Sequence, residues 1–179
     1  CMPLNQPYPF IAVYMNITNP AINYMFLKLR SRFGSSMLRA GRMGAEMMPW
    51  RNKQYMIGLG ADQSPADVLN AGWANFLNQP TAFTMGPEKN ARIAKGPVIM
   101  SWIEKRRTGK YTVHFELLFE HAELTSKYDI IKSYVEKLEY YIRKQPENYL
   151  WSHRRWKHQW KKEYEPLWIG EPSLHDSMA

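Results

Sequence analysis

The clearest pattern in the sequence is an amphipathic helix over residues 127–144. Large apolar residues recur there at the i, i+3, i+4 and i+7 spacing of one helix face. They are Ile130, Ile131, Tyr134, Val135, Leu138, Tyr141 and Ile142. A helix with a single apolar face has to bury that face against another layer of secondary structure. We therefore expect this helix, with Ser126 as its N-cap, to dock on a sheet.

Short apolar segments elsewhere in the chain predict the strands of that sheet. They cover residues 9–14, 36–39, 54–61, 97–104 and 111–119. Helices are predicted at residues 20–33, with Asn19 as N-cap and Gly34 as the stop, and at residues 86–95. A weaker helical pattern covers residues 41–52, and residues 72–84 are predicted to be irregular.

Strands that alternate with helices predict the α/β class. The last two strands are joined by the basic turn at residues 105–110, which is too short for a crossover and makes this pair antiparallel. We therefore predict one mixed sheet flanked by helices. The polar cluster at residues 62–65 follows a buried strand. It is either a binding loop at the carboxyl end of that strand or a capping turn before a helix at residues 66–69.

Composition limits the class of partner. The chain has 179 residues, 45% of them hydrophobic, and a net charge of +8. This size suits one domain, and the charge favours an acidic partner such as nucleic acid, anionic lipid or an acidic protein. No apolar run approaches the length of about 18 residues that a membrane-spanning helix needs. The single cysteine excludes an internal disulfide bond.

Residues 143–162, here called the basic aromatic segment, concentrate much of that charge. The segment holds seven Lys or Arg residues, three Trp residues and one acid, Glu147. Wide rings and fixed cations suit an anionic interface. The alternative is that the rings cover the domain while the stems of Arg and Lys lie over apolar surface.

Catalytic and metal-binding motifs are scarce. The sequence has no Gly-rich phosphate loop, no Cys/His metal spacing and no Gly-x-Ser-x-Gly motif. We predict no cofactor and no metal site.

The order of several short motifs points to a known family. They are Val13-Tyr14, Asn19-Pro20, Leu29-Arg30-Ser31-Arg32-Phe33-Gly34, Asp62-Gln63, the segment from Phe76 to Pro80, Gly86-Pro87 and the closing run Pro146-Glu147-x-Tyr149-x-Trp151-x-His153-Arg154-Arg155-x-Lys157. In these, the chain resembles the lipid A biosynthesis lauroyl/myristoyl acyltransferases of the lysophospholipid acyltransferase superfamily. The resemblance implies an acyltransferase domain at residues 8–157, followed by a basic segment and irregular tail at residues 158–179. It also implies a glycerol-phosphate acyltransferase-like sandwich.

The resemblance implies a function as well. Members pass a fatty acyl chain from an acyl-carrier-protein or CoA thioester to a hydroxyl group of a lipid, such as a lipid A precursor or a lysophospholipid. They work as peripheral proteins at the cytoplasmic face of the bacterial inner membrane, so the implied partners are the acyl donor, the lipid acceptor and an anionic membrane surface.

The catalytic element of the family is His-x-x-x-x-Asp/Glu, in which His removes the proton of the acceptor hydroxyl and the acid orients His. It is expected upstream of residues 9–14, and residues 1–8 lack it. The one literal match, His158 to Glu163, lies after the closing motif, and we reject it. With a first residue Cys1 rather than Met, the chain is expected to be an N-terminally truncated and inactive fragment.

Site residues follow from the same resemblance. Arg30 and Arg32 are predicted to bind an anionic headgroup through their guanidinium groups. Asp62 is expected either to line the same cleft or to order a nearby Arg. Met15 departs from the Arg that relatives often carry there. A structural lock between the last helix and the sheet is favoured over substrate contact for His153, Arg154 and Arg155. A place in the lipid interface is predicted for Trp156, Lys157, Trp160, Lys161 and Lys162.

Two alternatives stay open. The basic aromatic segment could be a nucleic-acid surface, with rings stacked on bases and cations on phosphates. No recognised nucleic-acid-binding motif accompanies it, so nucleic acid is not the favoured partner. The chain could also be a noncatalytic lipid-surface relative, in which a missing His-x-x-x-x-Asp/Glu element would look the same.

Overall fold

The computed structural model describes residues 7–170, which divide after Gly60 into two compact units. The α/β class is confirmed. The strands are β1 (Phe10–Tyr14), β2 (Ser36–Arg39), β3 (Met56–Gly58), β4 (Ala71–Phe76), β5 (Gln79–Thr84), β6 (Val98–Arg107) and β7 (Lys110–Phe119). The α-helices are α1 (Pro20–Ser31), α2 (Met43–Glu46), α3 (Gly86–Ala94) and α4 (Asp129–Lys144).

The first unit contains a three-stranded parallel sheet in the order β2-β1-β3. Ile11 in the central strand is fully buried. The predicted cap of α1 is confirmed, because the Asn19 side chain accepts hydrogen bonds from the backbone N–H groups of Ala21 and Ile22. Gly34 follows with a φ of 89°, a left-handed conformation that suits glycine after a helix.

The apolar face of α1 is exposed. Its side chains are between 37% and 54% accessible, and they are Ile22, Met25, Phe26 and Leu29. No residue of the helix is buried. The apolar spacing in the sequence therefore predicted helix α1 correctly. Within residues 7–170, however, the apolar face of this helix is not covered by other side chains.

The second unit begins with an antiparallel hairpin of β4 and β5, where the sequence predicted irregular chain. The prediction was wrong because the turn is Leu77-Asn78, with φ values of 51° and 63°. Two positive φ values make a turn whose twist matches the strands, yet the pair lacks the glycine that usually marks it. The hairpin carries the large buried rings of Trp73, Phe76 and Phe83.

The second hairpin, β6 and β7, packs one face on α4. The Trp102 ring stacks on Tyr141 with ring centroids 3.6 Å apart and on His114 at 4.6 Å. The opposite face, here called the hairpin apolar face, is 39% to 61% exposed and consists of Ile99, Ile103, Tyr111, Val113, Phe115 and Leu117. The predicted antiparallel pairing of this hairpin is confirmed.

The expectation of one mixed sheet does not hold within residues 7–170, where the strands form three separate small sheets. The strand at residues 54–61 shortens to β3. The pattern at residues 41–52 yields only α2 between two short 3₁₀ turns, and residues 66–69 form bends and turns instead of a helix.

Helix α4 is capped by a residue from another helix. The predicted cap Ser126 is wrong, because the N-cap position is occupied by Tyr128, which offers no side-chain hydrogen bond. The Glu88 carboxylate of α3 instead accepts hydrogen bonds from the backbone N–H groups of Tyr128, at 2.7 Å, and Ile131, at 3.1 Å. Glu88 is only 3% exposed, so these amide groups, which have no intrahelical partner, receive a buried anion.

Replacing Glu88 with Ala should therefore lower the free energy of unfolding by about 1–3 kcal/mol, because one buried and one partly buried N–H group would lose their acceptor. Urea denaturation followed by circular dichroism measures the change. Glu136→Ala on the exposed side of α4 is the matched control and should change stability by less than about 0.5 kcal/mol. Equal effects of the two substitutions would show that Glu88 does not cap α4.

Candidate functional site

The basic aromatic segment is held against residues 62–65 by three side chains. The Tyr149 hydroxyl donates to the backbone oxygen of Asp62 at 3.4 Å. The Ser64 N–H donates to Nε2 of His153 at 2.9 Å. Nε2 of His158 lies 3.1 Å from the backbone oxygen of Pro65. These contacts link parts of the chain that are distant in sequence, and they fix the loop that carries Asp62.

His153 acts in this site as an acceptor. Because a ring nitrogen that accepts a hydrogen bond carries no proton, the contact with Ser64 requires the imidazole form with the proton on Nδ1. If Nε2 carried a proton, the backbone N–H of Ser64 would lose this acceptor. The structural-lock role of His153 stays a prediction, and this hydrogen bond is the contact on which it rests.

Arg155 is the most deeply buried cation of the site. It is 3% exposed, and its guanidinium carbon lies 4.3 Å from the centroid of the Phe83 ring and 5.8 Å from that of Phe76. A guanidinium over an aromatic face is stabilised by the ring quadrupole. This packing of the cation on two core rings shows why the side chain can be placed inside the unit.

Burial changes the acid–base properties of this cluster. Removal from water lowers the pKa of the Arg155 guanidinium, and electrostatic interactions with Tyr149, Tyr134 and Asp62 oppose that shift. Removal from water likewise raises the pKa of the hydroxyls of Tyr134 and Tyr149, and the Asp62 carboxylate adds to both increases. Asp62, Tyr134, Tyr149 and Arg155 therefore form one electrostatic cluster.

Tyr134 was not predicted as a site residue, although it belongs to the apolar stripe of α4. The available signal was its hydroxyl group, which within the stripe is shared only by Tyr141. The two rings beneath Arg155 were hidden for a different reason, because they lie on the hairpin that the sequence did not predict.

The remaining predicted residues are more exposed. Arg154 is exposed at the surface of the second unit. In the first unit, Arg30 and Arg32 are exposed near the end of α1, where their guanidinium carbons lie 5.4 Å from the Phe26 ring and 5.7 Å from the Phe33 ring. Neither of these two arginines forms an ion pair with a described acid.

The two predicted interfacial tryptophans are half-buried. Trp156 donates from Nε1 to Oγ1 of Thr81 at 2.8 Å and packs beside Phe76. Trp160 meets Trp168 edge-on, with ring centroids 6.2 Å apart. The exposed members of the predicted set are Lys157, Lys161 and Lys162. A place in the lipid interface stays a prediction for all five residues.

The rejected pair His158 and Glu163 makes no mutual ion pair among the described residues. His158 faces Pro65, and Glu163 lies 3.6 Å from Nζ of Lys161. In residues 7–170, no group of three His, Cys, Asp or Glu side chains is placed to hold a metal ion. Within the same range, no helix has the length and apolar character needed to cross a bilayer.

These features define an α/β protein in which a C-terminal basic motif encloses a buried arginine and holds an acidic loop. A family model described as bacterial lipid A biosynthesis acyltransferase matches residues 1–158. The chain belongs to this acyltransferase family. A comparison with curated proteins gives no match.

The hydrogen bond between Ser64 and His153 can be tested by amide exchange. His153→Leu removes the acceptor and should make the Ser64 amide exchange several-fold faster, as expected for the loss of about 1 kcal/mol. His153→Gln places an oxygen near the position of Nε2 and should retain most of the protection. Hydrogen exchange measured by NMR would contradict the assignment if the Leu variant kept the protection of the wild-type protein.

Proposed function

We propose that this protein contributes the acceptor-binding part of an acyltransferase that moves a fatty acyl chain from a carrier-protein or CoA thioester to a lipid hydroxyl group. The family supports acyl transfer in general. The observation that carries the proposal is the way in which the closing motif holds residues 62–65. The His153 ring and the Tyr149 hydroxyl bond to this loop, so Asp62 is held beside the motif that carries Arg155.

Arg30 and Arg32 bind the anionic part of the acceptor in this proposal. Both guanidinium groups are exposed and free of acidic partners among the described residues. Their donors can therefore form charge-assisted bonds with phosphate or carboxylate oxygens without first breaking an ion pair.

The chemical step requires a base. The acceptor oxygen attacks the thioester carbonyl carbon as its proton moves to an imidazole, which gives a tetrahedral intermediate. This intermediate re-forms the carbonyl and breaks the C–S bond, and the thiolate that leaves takes up the proton from the imidazolium. The 179 residues hold no His-x-x-x-x-Asp/Glu other than the rejected pair. The proposal therefore assigns the base to sequence outside these residues, and we expect the 179-residue chain to be inactive alone.

We also propose that the protein lies at an anionic membrane surface, as its family resemblance implies. The hairpin apolar face supports this location because it is a large exposed apolar patch beside a basic turn. Exposed cations in that turn are Lys105, Arg106, Arg107 and Lys110. Apolar side chains at the headgroup boundary together with cations facing anionic lipids match the physical demands of a peripheral contact.

The nucleic-acid alternative is less well supported. Base stacking needs accessible ring faces, whereas Trp156 and Trp160 are half-buried and pack against other rings. Trp151 is the exposed ring of the segment, at 51%.

The anion role of Arg30 and Arg32 can be tested in the full product of the gene. Changing both to Gln should raise the KM for the lipid acceptor roughly tenfold or more, since a charge-assisted hydrogen bond contributes about 1.5–3 kcal/mol. The matched control changes Lys28 and Arg51, two exposed cations of the same unit, to Gln. Acyl transfer from a carrier-protein thioester is the measurement.

Undiminished transfer by the Arg30/Arg32 variant would remove the proposed anion role. If the gene product contains no His-x-x-x-x-Asp/Glu element and transfers no acyl chain, the noncatalytic lipid-surface relative becomes the better description.

Membrane contact through the hairpin can be tested by vesicle sedimentation. Changing Lys105, Arg107 and Lys110 to Gln should weaken binding to anionic vesicles, because each cation near such a surface contributes about 1 kcal/mol. Changing Phe115 and Leu117 to Ser should weaken binding at every salt concentration. The control changes Lys89, Lys95 and Lys132 to Gln, and equal losses in the control and hairpin cation variants would contradict a specific role of the hairpin.

A further inference from the structure

The basic aromatic segment forms an open pocket of about 350 Å³ on the surface of the second unit. Cationic side chains at its wall are Arg154, Lys157 and Lys161, and His158 adds a ring nitrogen. Trp156 and Tyr164 contribute aromatic surface. A volume of this size is enough for a small polar group and part of the molecule attached to it.

The cations of the pocket are largely uncompensated. Arg154 and Lys157 form no ion pair with a described acid, and no Asp or Glu belongs to the described lining. Lys161 lies 3.6 Å from Glu163, but both side chains are more than half exposed, at 65% and 60%. An exposed pair of this kind is weak. The pocket therefore presents positive charge that a bound anion can neutralise.

The aromatic surface is fixed by the core. Tyr164 is buried and stacks on Trp73 with ring centroids 5.1 Å apart and an interplanar angle of 8°. Trp156 is held by its hydrogen bond to Thr81. His158 is held by the Pro65 oxygen. Because the structure between the cations is already ordered, a ligand has to immobilise little more than the Arg and Lys side chains.

We propose that this pocket binds a phosphate group. Phosphate offers several oxygens and up to two negative charges, which suits one guanidinium fork and two ammonium groups arranged around a concave surface. A carboxylate has two oxygens and a single charge and would leave part of this set unpaired. The phosphate belongs either to the headgroup of a lipid or to the phosphopantetheine arm of an acyl donor. This choice of sources rests on the proposed function, whereas phosphate binding itself does not.

The probes are inorganic phosphate and 4′-phosphopantetheine in solution, and vesicles that contain phosphatidic acid. Binding is followed by the NMR signal of the Trp156 indole N–H, with chloride at matched ionic strength as the control for screening. The test variant changes Arg154, Lys157 and Lys161 to Gln. The matched control changes Lys89, Lys95 and Lys132 to Gln, which removes the same charge from exposed sites outside the pocket lining.

We expect phosphate to shift the Trp156 signal, and we expect the pocket variant to bind at least about tenfold more weakly than the wild-type protein, given the usual strength of charged hydrogen bonds. The control variant should stay within about twofold of wild type because its charges do not line the pocket and exposed charges are screened by salt. Near-ultraviolet circular dichroism of the Trp73–Tyr164 stack verifies that each variant is folded.

Tighter binding of phosphatidic acid vesicles than of phosphatidylserine vesicles would assign the phosphate to a lipid. Tighter binding of phosphopantetheine than of inorganic phosphate would assign it to the acyl donor. Absence of a specific shift with all three probes would overturn the proposal, and so would equal weakening in the pocket and control variants. None of these measurements uses acyl transfer, so the pocket can fail while the proposed function stands, and the reverse also holds.

Discussion

The contact of the Arg155 guanidinium with the ring of Phe83 is the interaction on which the second unit depends. A buried cation without compensation costs several kcal/mol, and ring contacts return about 2 kcal/mol when desolvated. The rings alone are therefore too weak, and no hydrogen bond to the Arg155 nitrogens forms within residues 7–170. The charge of Asp62 opposes the fall in the Arg155 pKa that burial causes. This requirement for nearby negative charge favours a loop at residues 62–65 that packs against the motif.

That requirement explains why residues 62–65 are held by hydrogen bonds from the same segment that supplies Arg155. If the loop moved away, Arg155 would lose the charge of Asp62, while Ser64 would lose its acceptor on His153. The second loss leaves a partly buried backbone donor unpaired, which costs more than the hydrogen bond itself contributes. The loop and the motif are thus held together by direct hydrogen bonds.

Sequence patterns predicted the elements whose stability is local. Helix α4 follows from its apolar period, α1 from Asn19 and Pro20, and the β6–β7 pair from its short basic turn. The β4–β5 hairpin was missed because Leu77 and Asn78 adopt positive φ values without glycine, and because Pro80 lies within a strand. A proline is tolerated there since a two-stranded hairpin has free edges. The role of the β4–β5 hairpin in the core could not be predicted either, because it depends on tertiary contacts with Arg155 and Trp156.

The candidate site could be predicted only in part, because it too depends on tertiary contacts. The closing motif was recognisable as a string of residues, but neighbouring residues in it have opposite environments. Arg155 is buried on aromatic rings, whereas Arg154 is exposed at the pocket. Sequence spacing does not distinguish the buried positions from the exposed ones, because the part of the segment that holds these residues is neither a helix nor a strand. The burial of each side chain depends on its individual tertiary contacts.

This alternation has a functional consequence. A basic segment with all its cations exposed would bind anions through flexible side chains, which would lose conformational entropy in every binding event. Here Arg155, Trp156 and His158 are fixed by the core, so the exposed Arg154, Lys157 and Lys161 extend from an ordered backbone. The inward residues thereby reduce the entropy that the outward residues lose on binding. One motif can stabilise the unit and present an ordered cationic surface because successive residues divide these two tasks.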